Sequence, residues 1–429
     1  MNDTISTDKP AATRRLLLVS YWFPPAIGAA ADRMAGFARH LPRQGWEVHV
    51  LTAARAESPP AMDGVTVHSV EDPLAKEQPF ADFDPRVSPP KWKSIAREFV
   101  FPDRFFKWRK AAMTAGRGLA ASVRFDAMLA SFPPASVIQL AVGLARETGV
   151  PLVTDFRDRW IGPGGYEPSL SFVRQRHERL KMQALTRSSH AVVVSEAMAE
   201  AIAASHRVPT SKLVVIPNGY EPTRGQRDES GDATSRSRAA AGGPLVIAHV
   251  GTVISRNRPE QFLNALKDIK GDPRLKNVQF RFVGNLSKAY VQSLGLSELV
   301  DVTGLIEREA AIREMTSADA LLLLTGAYVG RWGASAKLFE YVQTGLPVLC
   351  LEELPGSNDR QLLEQFIGDR AFFAPMSDSA GILARVEEIR RYRAARPNAA
   401  IELDASFREY SRENLTARLA EVLNEAAAP

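Results

Sequence analysis

Short apolar runs alternate with amphipathic stretches along most of the chain. "RRLLLVSYWFPP", which starts at Arg14, predicts a buried strand, "AADRMAGFARHLPRQG" a helix and "WEVHVLTA" a second strand. The alternation recurs in "FDAMLASFPP", "VPLVTDFRDRW", "HAVVVSEAM" and "KLVVIPNG". Apolar strands separated by helices are typical of a parallel sheet that is covered on both faces. The first half therefore predicts a doubly wound, Rossmann-like α/β domain.

A polar segment divides the chain. Residues 222–243 contain no large apolar side chain and are rich in Gly, Ser and charge, so we expect a flexible linker. Beyond it, "PLVIAHVGT", "VQFRFVGN", "VDVTGLI" and "LPVLCLE" alternate with helical stretches and predict a second Rossmann-like domain. We predict domains at 14–221 and 244–405, a disordered leader at 1–13, and a last helix at 406–429 that crosses back to the first domain.

Two such domains are expected to face each other across a central cleft. Ligands of open α/β sheets bind at the carboxyl ends of the strands, and pockets often form between domains. We therefore expect the functional residues to follow strands and to come from both halves of the chain.

Length and composition agree with this organisation. A chain of 429 residues with 45% hydrophobic residues suits two soluble domains. No run of 18 apolar residues and no signal-peptide pattern is present. The single cysteine, Cys350, excludes an internal disulfide and a multi-cysteine metal site. We expect a cytoplasmic protein.

The charge balance points to an anionic partner. The net charge is +5 and the pI about 9.3. Residues 89–112 interleave six aromatic residues with seven Lys or Arg, and 172–188 form a second basic stretch. Two interpretations stay open: solvated helix faces over core aromatics, or a surface that touches the anionic inner face of the membrane. No nucleic-acid partner is expected, because no zinc finger, basic zipper or RNA-binding aromatic signature is present.

The turn after the first strand is a candidate ligand site. In "YWFPPAIGAAADRM" the strand ends at Phe23, two prolines force a turn, and Gly28 precedes a helix that carries Arg33. Amides at such a helix start favour an anion or a sugar hydroxyl, although a tight strand-to-helix turn is the alternative. Neither G-x-G-x-x-G nor a P-loop occurs here, so neither a dinucleotide cofactor nor an ATPase-type phosphate loop is expected.

Charged residues crowd the end of another buried strand. "VTDFRDRW" places Asp155, Arg157, Asp158 and Arg159 there, where charges are costly unless they are paired with each other or with a ligand. A catalytic edge and a structural ion-pair network both remain possible. The sequence "DFD" at 82–84 is similar to a metal-binding Asp-x-Asp, but no strand precedes it, and we expect no metal.

The second half repeats the strand-then-glycine pattern. Gly251 and Thr252 follow one strand, and Arg256 and Arg258 come next. Glycine permits close approach of the backbone, and an arginine can clamp a diphosphate with two hydrogen bonds. Gly304 follows a further strand. Either arginine can serve as the clamp.

The segment "GRWGASAKLFEYVQTGLP" joins two ligand-binding features. Gly333 and Ser335 stand at a helix start, and Lys337 and Glu340 lie in its first turns. Amides at a helix start favour an anion, whereas a carboxylate favours a hydroxyl pair such as a ribose diol. A nucleoside diphosphate has both groups.

These motifs, in their order and spacing, resemble a GT-B glycosyltransferase of family four, in the subgroup that builds bacterial cell-surface polysaccharides. The motifs are "YWFPPAIGAAADR", "FPDRFFKW", "SFPPAS", "VPLVTDFRDRW", "VVVSEAM", "VIPNGYE", "HVGT", "TGLIEREAAIREMTSADALLLL" and "KLFEYVQTGLPVL". The resemblance covers nearly the whole chain except the leader and 222–243.

The resemblance implies transfer of a sugar, with retention of configuration, from a nucleotide-sugar donor to a glycan or lipid-linked acceptor. It implies no bound metal and no cofactor, with the nucleotide on the carboxy-terminal domain. Glu340 matches the second Glu of the family's Glu–seven residues–Glu motif, which binds the ribose. The implied catalytic residues are Asp155, Arg157 and Arg256. The implied donor-binding residues are Gly28, Gly251, Thr252, Arg258, Gly304, Leu305, Gly333, Ser335, Lys337 and Glu340.

The chain departs from the family pattern at Gly333, in "SRNRPEQ", which lacks the Lys that often follows the clamping Arg, and in "DFRDRW", which replaces the His of many members. Gly333 stands where the first Glu of that motif is expected, so the donor-sugar contact would come from backbone amides, Ser335 or Lys337. Two alternatives to transfer stay open on the residues alone: a nucleotide-sugar epimerase, or a catalytically degenerate nucleotide-binding protein.

Overall fold

The computed structural model describes residues 14–73, 82–87, 90–162, 165–222, 243–395 and 404–428. The predicted leader, 1–13, lies outside the described residues. So does the predicted linker, 222–243, except for its first and last residues.

The first half of the described chain forms a seven-stranded sheet in the order β3-β2-β1-β4-β5-β6-β7. All of its strand pairs are parallel. The strands are β1 (Arg14–Val19), β2 (Trp46–Ala53), β3 (Val65–Val70), β4 (Ala127–Phe132), β5 (Leu152–Phe156), β6 (Ser188–Val193) and β7 (Leu213–Val215). Strand β4 is buried along its whole length, which explains its continuous apolar sequence.

The second half forms a six-stranded sheet in the order β10-β9-β8-β11-β12-β13, again with parallel pairs only. The strands are β8 (Leu245–Val250), β9 (Val278–Val283), β10 (Val300–Gly304), β11 (Ala320–Thr325), β12 (Val348–Glu352) and β13 (Ala371–Pro375). Counted within each domain, the two sheets share the doubly wound order 3-2-1-4-5-6. The predicted α/β class with two Rossmann-like domains is confirmed.

Helices cover both faces of the two sheets. Those of the first half are α1 (Ala29–His40), α2 (Lys91–Glu98), α3 (Phe106–Ser122), α4 (Ala135–Thr148), α5 (Ser171–Arg187) and α6 (Glu196–His206). Those of the second half are α7 (Pro259–Ile269), α8 (Lys288–Ser293), α9 (Arg308–Ser317), α10 (Ala327–Trp332), α11 (Ala336–Thr344), α12 (Asn358–Ile367) and α13 (Ser379–Ala395). Each sheet therefore has apolar clusters on both of its faces.

The last helix, α14 (Arg412–Ala426), packs on the first domain. Leu415, Leu419 and Leu423 are buried in one cluster with Leu16 and Met34. The helix begins at Arg412, later than the sequence suggested, because the Ser411 Oγ accepts the N–H of Asn414 and caps it. The chain before it reaches the second domain, where the Phe407 ring contacts that of Phe366 edge-on.

The aromatic residues of 89–112 divide between core and surface. Trp108 is fully buried, whereas Trp92 and Phe99 are 66% and 65% exposed. Glu98 ties this region to α5, because its carboxylate accepts the N–H groups of Ser169 and Leu170 just before that helix. Among the described residues, no helix has the length and apolar character that crossing a membrane requires.

Candidate functional site

A cleft of about 410 Å³ lies between the two domains. Its walls include Gly28 and Arg157 from the first domain and Gly251, Gly333 and Glu340 from the second. This volume is within the range of small-molecule sites. The cleft therefore brings together residues that the sequence predicted on separate strands.

Gly28 forms the first-domain corner of the cleft. Its φ of 124° is in the region that favours glycine, and its carbonyl accepts the N–H of Asp32 at 3.0 Å as α1 starts. The turn brings the first amides of α1 to the cleft, where Ala29 and Asp32 also line the wall. Its conformation is that of a helix start open to a ligand.

Asp155 does not line the cleft. It is fully buried at the end of β5, where its Oδ1 accepts from Arg33 Nη2 at 2.8 Å and its Oδ2 from Ser131 Oγ at 2.9 Å. Arg33 also donates to the carbonyls of Ile216 and Pro217 and is 2% exposed. Of the two interpretations that the sequence left open, this geometry favours the structural ion pair, because Asp155 joins α1 to the strands around it and is not among the residues that line the cleft.

We expect Asp155→Ala to lower the free energy of unfolding by about 3–5 kcal/mol, since it leaves the buried Arg33 without its carboxylate. Denaturant titration measures this change. Glu147→Ala, which removes a surface ion pair with Arg117 in the same domain, is the control and is expected to cost under about 1 kcal/mol. A stable Asp155→Ala protein without turnover would contradict the structural role.

Arg157 lines the cleft next to Asp158 and Arg159. Its Nη2 donates to the carbonyl of Pro133 at 3.1 Å, and its Nη1 lies 3.7 Å from the Asp158 carboxylate. Burial lowers its pKa, and the nearby Asp158 opposes this change. A guanidinium held in this way presents fixed positive charge to the cleft.

The position of the Lys337 side chain explains why residue 251 is a glycine. The Lys337 ammonium donates to the carbonyl of Thr252 at 2.9 Å, and a Cβ on Gly251 would lie 2.6 Å from the Lys337 Cε. Gly251 also has a φ of 115°. Burial lowers the pKa of Lys337, and Glu340 opposes this change. The loop after β8 therefore needs glycine so that the lysine can pass beneath it.

The two candidate arginines point in different directions. Arg256 is not among the residues that line the cavity, but its guanidinium lies over the Tyr328 ring at 4.5 Å and 3.5 Å from Asp158, and both of these residues line it. Arg258 instead faces Glu260 and Glu353, at 3.3 and 3.4 Å. Of the two, the structure places only Arg256 at the rim of the cleft.

A buried carboxylate fixes the start of α11. Asp359 is fully buried, and it accepts the Ser335 N–H at 2.8 Å and the Thr325 hydroxyl at 2.7 Å. Burial raises the pKa of Asp359 to about 6. The Ser335 amide is engaged in this way, and the next two residues, Ala336 and Lys337, whose amides begin α11, line the cleft.

Gly333 lies in the cleft wall with extended backbone, at a φ of 174°. This conformation does not require glycine. A Cβ at this position would lie 3.3 Å from Val194 Cγ2 of the first domain, so the Val194 side chain would have to shift by a few tenths of an ångström to admit a glutamate. The missing side chain thus permits close contact of the domains beside the cleft.

Glu340 is part of a charged bridge across the cleft. Arg308, at the start of α9, donates to Glu340 Oε1 at 3.2 Å and to Asp32 Oδ2 of α1 at 2.9 Å. The Glu340 side chain remains 37% exposed to the cleft. Sequence analysis missed Asp32 and Arg308; the available signal was that each lies in the first turn of a helix that follows a strand and a glycine-containing turn.

Further polar contacts cross between the domains beside this bridge. Ser195, which caps α6 through the N–H of Met198, donates its hydroxyl to the carbonyl of Trp332 at 2.6 Å. The Tyr328 hydroxyl accepts the N–H of Arg159 at 2.9 Å. These contacts hold the two walls of the cleft in the geometry described.

One end of the cleft is apolar. Leu305, Ile306, Ile312 and Met315 line it together, and Leu305 is 44% exposed. Gly304 does not line the cavity; its φ of 84° forms the turn that brings Leu305 to the wall. A flat aromatic group is the kind of ligand part that such a surface accepts.

Comparison with protein families matches residues 28–219 to the model described as "Glycosyl transferase 4-like domain". No curated protein sequence matches the chain.

Comparison with solved structures finds similar folds over almost the whole chain. Sucrose-phosphate synthase from Thermosynechococcus elongatus aligns with a TM-score of 0.66 at 14% identity, over 96% of this chain and 98% of that one. Anabaena Alr3699/HepE in complex with UDP-glucose aligns with a TM-score of 0.65 at 14% identity, over 96% and 99%. WaaG, a glycosyltransferase involved in lipopolysaccharide biosynthesis, gives 0.56 at 14%, over 95% and 99%.

Proposed function

We propose that this chain, whose residues 28–219 match the glycosyl transferase 4-like domain and whose fold is GT-B, is a retaining glycosyltransferase of cell-surface polysaccharide synthesis. The GT-B fold and the glycosyltransferase resemblance predicted from the sequence are confirmed. The donor, the stereochemistry and the acceptor belong to the proposal. The chain would move a sugar from a nucleotide-sugar to a glycan or lipid-linked acceptor.

A single observation carries the proposal: Glu340, the first-turn amides of α11 and an apolar surface lie on one wall of one cleft. We infer that Glu340 accepts hydrogen bonds from the ribose, that Leu305 and its neighbours contact the base, and that the Ala336 and Lys337 amides face the diphosphate. The solved structures of Alr3699/HepE in complex with UDP and with UDP-glucose support a nucleotide-sugar donor.

The proposed reaction needs stabilisation of the departing diphosphate. The bond from the anomeric carbon to the phosphate oxygen breaks, and the acceptor oxygen bonds to the same face of that carbon. The acceptor proton passes to the leaving phosphate oxygen. Arg256 and the α11 amides would stabilise the negative charge that develops on the diphosphate. Arg157 adds fixed positive charge on the opposite wall.

The acceptor side includes the basic regions 89–112 and 172–188. In the region 89–112, which the structure describes from Pro90 onward, Trp92 and Phe99 are exposed beside exposed Lys93 and Arg97. Phe172 joins them, with its ring centroid 6.0 Å from that of Phe99. Exposed aromatic rings among cations suit the interface of an anionic bilayer. We infer that this patch holds the enzyme at the inner membrane face, where a lipid-linked acceptor is found.

We expect Trp92→Ala with Phe99→Ala to weaken binding to phosphatidylglycerol vesicles at least about tenfold, because two exposed aromatic rings lose their contact with lipid. Vesicle co-sedimentation measures the change. Leu354→Ala removes another apolar side chain, 59% exposed in the second domain, and is expected to leave binding unchanged. Equal binding by the double variant and the wild type would refute the patch as the membrane contact.

The nucleotide proposal is tested by thermal shift with uridine, guanosine, adenosine and thymidine diphosphates. A ligand that binds only the folded protein raises the melting temperature by mass action, and about 2.7 kcal/mol is expected at 100 times Kd. We expect one diphosphate to raise it by a few degrees and the matching nucleoside to have less effect. No shift with any of the four would refute the nucleotide-sugar donor.

A further inference from the structure

A second, smaller cavity adjoins the cleft on the acceptor side. Its accessible space is about 30 Å³, and its walls include Lys181 of α5 and Ile202 of α6. Arg159, Met198 and Trp332 line both this cavity and the main cleft. The cavity is therefore a side pocket of the cleft, and most of it is built by the first domain.

Lys181 is a buried cation with incomplete pairing. The residue is 7% exposed, and among the described residues the contact of its ammonium is the Glu178 carboxylate at 3.8 Å, beyond hydrogen-bond distance. That carboxylate already binds His206 Nε2 at 3.1 Å. An ammonium has three protons to donate, and burying it without acceptors is costly. The pocket thus holds a charge that the protein only partly compensates.

Arg159 adds a second positive charge to the same pocket. Its guanidinium lies over the Trp332 ring at 4.1 Å, and its Nε donates to the carbonyl of Ile161 at 3.2 Å. Burial lowers the pKa of Lys181, Glu178 opposes this, and the charge of Arg159 lowers it further. The two cations therefore repel each other. An anion between them would offset this repulsion and accept hydrogen bonds from the Lys181 ammonium.

The remaining wall is part aromatic, from Phe156, Trp160 and Trp332, and part helix α6, from Met198, Ala201, Ile202 and Ser205. Trp160 stacks on Phe132 at 4.4 Å, and its indole N–H donates to His177 Nδ1 at 3.1 Å. Trp332, on the boundary with the main cleft, is held through its carbonyl by Ser195. The space admits a group the size of about two water molecules, which fits one oxyanion and excludes a sugar ring.

We propose that this side pocket binds the carboxylate or phosphate group of an acidic acceptor sugar. The ring of that sugar would lie in the main cleft near Trp332, and its anionic group would enter between Lys181 and Arg159. The inference rests on the proposed transferase function and adds the substrate class to it: the acceptor residue is a uronic acid or a phosphorylated sugar.

The test uses the full chain, saturated with the nucleoside diphosphate found by thermal shift. Binding of glucuronate, glucose 6-phosphate and glucose is measured by calorimetry. We expect at least one of the two acids to bind at least about tenfold tighter than glucose, as one charge-assisted contact would give. The acid that binds tighter identifies the anionic group. Equal binding of all three sugars would overturn the proposal.

Substitutions at Lys181 test whether the preference for acidic sugars arises in the side pocket. Lys181→Met keeps the length of the side chain without its charge and is expected to abolish the preference for the acid, whereas Lys181→Arg keeps it. Lys267→Met, at an exposed position of α7 in the second domain, makes the same substitution outside both cavities; it is the matched control and should behave as wild type. If Lys181→Met does not fold, Lys181→Gln serves in its place. An unchanged preference in either uncharged variant would overturn the proposal.

Failure of the inference is separable from failure of the donor assignment. Stabilisation by the nucleoside diphosphate is expected to be the same in Lys181→Met as in the wild type, because Lys181 is not among the residues that line the main cleft. Intact nucleotide binding without any preference for acids removes only the acidic acceptor. Loss of nucleotide binding in the wild type removes the proposed function itself.

Discussion

Replacement of Glu340 by alanine is expected to raise the Kd for the nucleoside diphosphate about 100-fold, and the donor KM with it. The Glu340 carboxylate lines the cleft and remains 37% exposed beside Arg308. Two ribose hydroxyls that donate to one carboxylate contribute about 3 kcal/mol, and this energy is lost in the variant. Calorimetry gives the Kd, and steady-state kinetics gives the KM.

Comparison of ribose with 2′-deoxyribose nucleotides distinguishes a contact between Glu340 and the ribose from an indirect effect of losing the Arg308 ion pair. The wild type is expected to bind the ribonucleoside diphosphate about tenfold tighter than its 2′-deoxy form, as one lost hydrogen bond to a charged group implies. Glu340→Ala should bind the two forms equally. Glu309→Ala, at an exposed carboxylate in the first turn of α9, is the control and should keep the preference. If Glu340→Ala still prefers the ribose, the ribose assignment is wrong.

Arg256→Ala is expected to lower kcat by about 10² to 10³, with a change in nucleotide Kd of no more than about tenfold. A donor positioned where charge develops acts mainly in the transition state, so its loss affects turnover more than ground-state binding. Arg256 lies over Tyr328 and beside Asp158 at the rim of the cleft. Single-turnover kinetics with saturating donor and acceptor measures the chemical step.

Arg258→Ala is the matched control for this variant. It lies two residues further on, and its guanidinium faces Glu260 and Glu353 instead of the cleft. We expect its kcat to stay within about twofold of the wild type, because exposed ion pairs of this kind contribute little. A large loss of kcat in Arg258→Ala with normal turnover in Arg256→Ala would reverse the assignment of the two arginines.

Local sequence patterns were sufficient for the main chain of the site. The positive φ of Gly28 and Gly251 and the turn at Gly304 follow from glycine after a strand. The start of α11 follows from small residues ahead of an amphipathic run. Such features depend on residues within one turn of each other, and the sequence specifies them directly.

Local sequence patterns did not predict the direction in which the charged side chains point. The sequence left a catalytic and a structural role for Asp155 equally open, and the structure favours the second because Arg33, from a different element, pairs with it in the core. Arg256 and Arg258 are two residues apart, yet they face different neighbours. Both outcomes depend on partners that the local pattern does not contain.

The sequence by itself determined the two parallel sheets, their alternation with helices and the glycine turns at the strand ends. The period of apolar residues and the backbone freedom of glycine are local properties. Only the tertiary structure decided that Arg308 joins Asp32 to Glu340 and that Lys181 and Arg159 share one pocket. These contacts join residues that are distant in sequence, so no local pattern contains them, and they form only when the folded chain brings those residues together.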